Sequence, residues 1–130
     1  MTDNIPKSGS TELARLLAEM NEKGGFPIAV ITDRQGFPIA SAAAPGQDPD
    51  TKSAVVALIQ KTATQVQNQL GMAQTDEISL YDTEGRRLVC RPFQAKGHEM
   101  ILAILVPSKH QSYRRLTNQM VTAVRRIWKL

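Results

Sequence analysis

The sequence predicts a single α/β domain, an α+β sandwich ordered helix, two strands, helix, three strands, helix. Three observations carry this reading. The stretch Phe26–Ser41 holds two short apolar runs around a polar turn, Asp33-Arg34-Gln35-Gly36, the pattern of paired strands. Segments with helical apolar spacing lie on both sides of it. Three further strand-like runs follow, joined by tight connections that end in glycine, before a last helical segment.

Residues 1–9 read as a loose N-terminal arm, with Pro, Gly and Ser and little to bury. Residues 10–130 form the domain. Ser10 is a suitable N-cap, with Glu12 in the first turn where the helix dipole favours it. Leu13, Leu16, Leu17 and Met20 then recur at helical spacing, and Gly24-Gly25 ends the first helix. In the hairpin, Gly36 supplies a positive φ and Asp33 can bond the turn backbone. A breaker segment, Pro45 to Asp50, leads into the second helix, with Asp50 as its expected N-cap and Gly71 as its end. The stripe expected to be buried there is Val55, Leu58, Ile59, Thr62, Ala63, Val66 and Leu70. Strands follow at Glu77–Asp82, Arg86–Phe93 and His98–Val106. Pro107 breaks the last of them. Ser108 and Gln111 then have the spacing of a capping box for the final helix. That helix has the apolar stripe Tyr113, Leu116, Met120, Ala123, Val124 and Ile127.

Hydropathy also orders the sheet. Ile28–Ile31 and Met100–Val106 are continuous apolar runs, as expected of strands buried on both faces. The first and fifth strands are therefore central, and hairpin neighbours give the order 2-1-5-4-3. The second helix then crosses one face, and the first and third cover the other.

The two sheet edges differ. Pro38 blunts the second strand. The third strand has neither proline nor lysine, so its edge is open to pairing. The second helix beside it carries mostly Thr, Gln, Asn, Ser and Ala, with Lys52 and Lys61 as its surface charges. Two readings stay open: a weakly polar helix in water, or a helix that meets another protein surface, since interface cores are poor in charge. The second predicts a two-fold homodimer, strand to strand and helix to helix. Its expected interface is Val56, Ile59, Ala63, Ile78, Ser79, Leu80 and Tyr81.

Composition removes several function classes. No apolar run approaches a membrane span. The N-terminus lacks the apolar core of a signal peptide, so a cytoplasmic location is expected. Cys90 is the single cysteine, expected buried and inert, and with two histidines a structural zinc site is not expected. Asp82 and Glu84 flank a turn. His98 and Glu99 are adjacent on a strand and so point to opposite faces. His110 falls in the expected first turn of the last helix. Gly24-Gly25 precedes a strand and lacks the helix N-terminus that phosphate loops use. The expectation is no enzyme, no catalytic residue, no cofactor and no metal.

Net charge is +4. Arg114, Arg115, Arg125, Arg126 and Lys129 fall on one side of the last helix, opposite its apolar stripe. That side is either a solvated face or a docking patch for an acidic protein, anionic lipid or nucleic acid. No aromatic residues interleave there, which counts against single-stranded nucleic acid.

The stretch Gly25 to Ser41 resembles the Roadblock domain. This is the family of the Roadblock dynein light chains and of small bacterial proteins associated with Ras-like GTPases. The shared pattern is a glycine, a small-apolar strand, Asp33, the turn Gly36, and Ile39-Ala40-Ser41. The segment Leu13–Gly25 fits the preceding helix, and the turn at Glu84-Gly85 and the run Leu102–Pro107 agree more loosely. Pro27 departs from the pattern and is expected to shorten or bulge the first strand. The resemblance implies a profilin-like fold that dimerises through the third strand and second helix. It also implies a Ras-like small GTPase as partner, which no residue chemistry specifies. Thr64, Gln67 and Asn68 are the expected docking residues, with Arg125 and Arg126 as the alternative. Two other functions remain: a basic module that docks on nucleic acid or membrane through the last helix, or a small-molecule sensor. Neither nucleic acid nor membrane is the expected partner.

Overall fold

The computed structural model describes residues 7–128. Its elements are α1 (Lys7–Gly24), β1 (Ile28–Asp33), β2 (Pro38–Ala43), α2 (Pro49–Leu70), β3 (Ile78–Tyr81), β4 (Arg87–Ala95), β5 (His98–Val106) and α3 (Arg114–Ile127). The strands form one antiparallel sheet in the order β2-β1-β5-β4-β3, as the hydropathy argument requires. Helices α1 and α3 pack against each other on one face, and α2 covers β1, β2 and part of β4 on the other.

Each face has its own core. Leu13, Leu17 and Met20 of α1 and Met120, Val121 and Val124 of α3 meet Ala29, Ile31, Val89, Phe93, Leu102 and Ile104. On the opposite face Val56 packs with Ile28, Val30, Cys90, Ile101 and Ala103. The alternation of β1 and β5 between these two cores is why both strands read as unbroken apolar runs.

The turns behave as their residues dictate. The Asp33 carboxylate accepts from the N–H groups of Gln35 and Phe37, each at 2.9 Å. Gly36 has φ 92°. Asp82 does the same for Glu84 and Arg86, at 2.9 Å each, so it serves the turn rather than chemistry. Pro27 lies just before β1, and the register shifts between Ile31 and Thr32, where Thr32 faces Pro38.

Several helix expectations need correction. α1 includes Lys7, so Ser10 is not its cap, and residues 7–9 of the expected arm are helical. The Ser10 hydroxyl instead donates to the Ile39 carbonyl at 2.6 Å, tying α1 to β2. The rest of the arm, residues 1–6, lies outside the described residues. Asp48, not Asp50, caps α2, accepting from Asp50 N–H at 3.0 Å and the Thr51 hydroxyl at 2.6 Å, with Pro49 opening the helix. Gly71 ends α2 in the left-handed conformation, as expected. The capping box at Ser108 does not form. Ser108 to Gln111 make a turn that includes His110, and α3 starts at Arg114 without a side-chain cap. The Gln111 amide is spent on the carbonyls of Gly24 and Gly25.

The largest correction concerns α2. Val56 and Ser53 are its buried residues. Val55, Leu58, Val66 and Leu70, expected in the core, are exposed, Leu58 at 66%. The apolar stripe turns away from the chain's own sheet.

Candidate interaction surface

The sheet edge also carries exposed apolar surface, on the side that α2 covers. Leu80 stands opposite Leu88, and Ile78 opposite Cys90. Cross-strand partners share a face, and Leu88 and Cys90 belong to the α2-side core. Leu80 therefore projects on the α2 side, where it is 60% exposed. Exposed apolar residues thus stand on α2, at Leu58, Val66 and Leu70, and on the same side of the sheet at its edge, at Leu80. Among the described residues β3 pairs only with β4. A strand edge without a partner and exposed apolar residues are two features on which another chain can pair.

β3 is held in place from the other side. Glu77 accepts from the Tyr113 hydroxyl at 2.6 Å, from Arg114 at 2.6 Å and from the Ser79 hydroxyl at 3.0 Å. Arg114 also bonds Asp76 at 2.8 Å. Burial opposes ionisation of Glu77, but the hydrogen bonds from Tyr113, Arg114 and Ser79 outweigh it and keep its carboxyl below the ordinary glutamate range. Buried Arg87 lies between the rings of Tyr81 and Tyr113, 4.8 and 4.5 Å from their centroids. The start of α3 thus fixes both ends of the four-residue edge strand. No spacing in the sequence signals this link between residues 77 and 113.

The expected interface residues divide. Ser79, Leu80 and Tyr81 are exposed, and Ile59, Ala63 and Ile78 are half-buried. Tyr81 points to the α3 side, against Arg87. Val56 is 0% exposed and belongs to the core, which removes it from any contact surface. Of the expected docking residues, Asn68 is exposed. Thr64 and Gln67 turn toward the sheet instead and line a cleft there. Gln67 accepts from the Thr75 N–H at 2.9 Å and the Thr75 hydroxyl at 2.8 Å, fixing the loop before β3. Arg125 and Arg126 are exposed on the opposite layer, so the two docking candidates do not form one site. Arg125 donates to the Gln94 carbonyl at 2.9 Å, and Lys129 lies outside the described residues.

Among the described residues no cluster of His, Cys, Asp and Glu is placed to hold a metal ion. Cys90 is buried, and burial pushes its thiol up to about 12. No helix among the described residues is long and apolar enough to cross a membrane.

No protein-family model and no curated protein sequence matches the chain. Solved structures do. MglB of Myxococcus xanthus matches with TM-score 0.78 at 11% identity, over 98% of this chain and 92% of that one. The gliding protein MglB of Thermus thermophilus matches with TM-score 0.76 at 19% identity, over 95% and 93%. A Roadblock/LC7 domain from Streptomyces avermitilis matches with TM-score 0.70 at 13% identity, over 88% and 92%. These likenesses span most of the chain, from 88% to 98% of it, at TM-scores of 0.70 to 0.78: the chain has the Roadblock fold.

Proposed function

We propose that the chain is a non-enzymatic, homodimeric interaction module that regulates or scaffolds a Ras-like small GTPase. One observation supports the assembly: Leu58, Val66 and Leu70 of α2 and Leu80 of β3 are exposed on the same side of the sheet, and among the described residues β3 pairs only with β4. In the dimer β3 pairs with its copy across a two-fold axis and α2 packs on α2, which covers both features at once. The partner class rests on the fold shared with the MglB proteins and on the Gly25 to Ser41 pattern. The exposed polar side of α2 around Asn68, continued across the two-fold axis, is the docking surface. Its uncharged groups desolvate at lower cost than charges.

The rival reading, docking through the basic side of α3, has weaker support. Arg114 is committed to Asp76 and Glu77, and Arg125 to a β4 carbonyl.

The test is calorimetric titration of the purified chain with a Ras-like GTPase from the same genome, loaded with GDP or with a GTP analogue. A regulator shifts a switch only through differential affinity, so binding must favour one nucleotide state. Asn68→Arg should weaken it and Arg126→Glu should not. Equal affinity for both states contradicts regulation. Loss with Arg126→Glu alone moves the site to α3.

A further inference from the structure

The cleft between the second half of α2 and the sheet has no role in the surface described above. Its volume is about 300 Å³. Arg34, from the β1–β2 turn, and Glu99, from the start of β5, meet at its rim at 2.8 Å. They are 65 residues apart in sequence, and both side chains are about half exposed. Deeper in, Pro92 and Ile101 give it apolar lining. Gln60 lines the same space, and its side-chain amide oxygen, Oε1, is buried with no hydrogen-bond partner among the described residues. A buried acceptor left unpaired carries a desolvation penalty that a ligand N–H group removes. The Gln74 and Gln94 amides offer further polar contacts in the wall.

We propose that this cleft binds a free α-amino acid. The ligand carboxylate would bond Arg34, a planar donor suited to paired oxygens. The ligand ammonium would take Glu99 and, once the Gln60 side chain turns into the cleft, its amide Oε1 as acceptors, and the ligand side chain would enter the amide-lined, apolar part. A zwitterion matches both rim charges, whereas a purely anionic or cationic ligand leaves one of them opposed. The volume lies at the lower end of ligand pockets, as a molecule of this size requires. The proposal is independent of dimerisation and of the GTPase.

The test is thermal shift and calorimetric titration of the full chain against each common L-amino acid at millimolar concentration. One amino acid, or a chemically related group, should bind saturably. Arg34→Gln and Glu99→Gln should each weaken binding about tenfold or more, the effect of removing one charged partner. Both sites are exposed, so the variants should keep the circular dichroism of the parent; Gln60→Met gives a third, uncharged check. The α-hydroxy acid, which lacks the amine, and the amino-acid amide, which lacks the carboxylate, should both fail to bind. Absence of binding by every amino acid overturns the proposal. So does binding that survives Arg34→Gln and Glu99→Gln, or equal binding by the two analogues.

Discussion

Arg87, itself buried, lies over the half-buried ring of Tyr113, its guanidinium carbon 4.5 Å from the ring centroid. This contact joins the start of α3 to the strand beside the open sheet edge. On its other side the guanidinium meets Tyr81 of β3. Arg87→Ala should cost about 1–2 kcal/mol, from two cation–π contacts, one to half-buried Tyr113 and one to exposed Tyr81. It should also weaken self-association, because β3 loses its anchor. Chemical denaturation and sedimentation measure the two effects separately. A variant with lower stability and unchanged self-association would show that the stack has no part in positioning the edge.

Val56 and Leu58 are two residues apart on α2 and should respond in opposite ways. Val56 is wholly enclosed, so Val56→Ala should lower stability by about 2 kcal/mol through lost burial and a cavity. Leu58 projects outward, so Leu58→Asp should leave the monomer fold within about 0.5 kcal/mol of the parent. Urea titration of each variant, at a concentration low enough to keep the parent monomeric, checks this.

Acid should loosen the β3 anchor. The Glu77 carboxyl is held below its ordinary range, so its folded value is depressed relative to the unfolded chain. Such a group contributes stability that is complete above the unfolded value of about 4.3 and disappears as pH falls through the folded value. Asp76, whose carboxyl is lowered chiefly by its hydrogen bond from Arg114, acts in the same sense. Stability should therefore decline below about pH 4.3, and Glu77→Gln should flatten part of that decline. Denaturation midpoints measured across the acid range would reveal an unchanged slope if Glu77 plays no part.

Cys90 should resist alkylation in the native protein at mildly alkaline pH. Its thiol is buried and pushed up to about 12, so almost no thiolate is present or reachable. Labelling should become rapid in denaturant. Fast labelling of the native chain would place Cys90 outside the α2-side core.

The strands were legible because each carries its own evidence. Asp33 and Gly36 mark one turn, Asp82 and Gly85 another, and the apolar runs at 28–31 and 100–106 identify the central pair. The orientation of α2 was not legible from counting apolar residues. Val55, Leu58, Val66 and Leu70 show which side avoids water, but not whether it meets the chain's own sheet or another surface. The sheet-facing side is instead partly polar, because its polar groups are satisfied locally. The Ser53 hydroxyl donates to the Pro49 main-chain carbonyl at 2.9 Å, and the Thr64 hydroxyl to the Gln60 main-chain carbonyl at 3.0 Å. Thr117 of α3 is buried for the same reason: its hydroxyl donates to the Arg114 carbonyl and accepts from Arg91, each at 3.1 Å. Links such as Glu77 to Tyr113 and Arg34 to Glu99 have no local signature. They depend on which loops the folded sheet brings together.

Sedimentation equilibrium of the parent chain and of Leu80→Asp at micromolar concentration tests the account most directly. The parent should sediment at twice the chain mass of 14.3 kDa. Leu80→Asp places a charge at the sheet edge of the apolar surface and should sediment as a folded monomer. A parent that remains monomeric, or a Leu80→Asp variant that keeps the same assembled mass, would contradict a homodimer formed through α2 and β3.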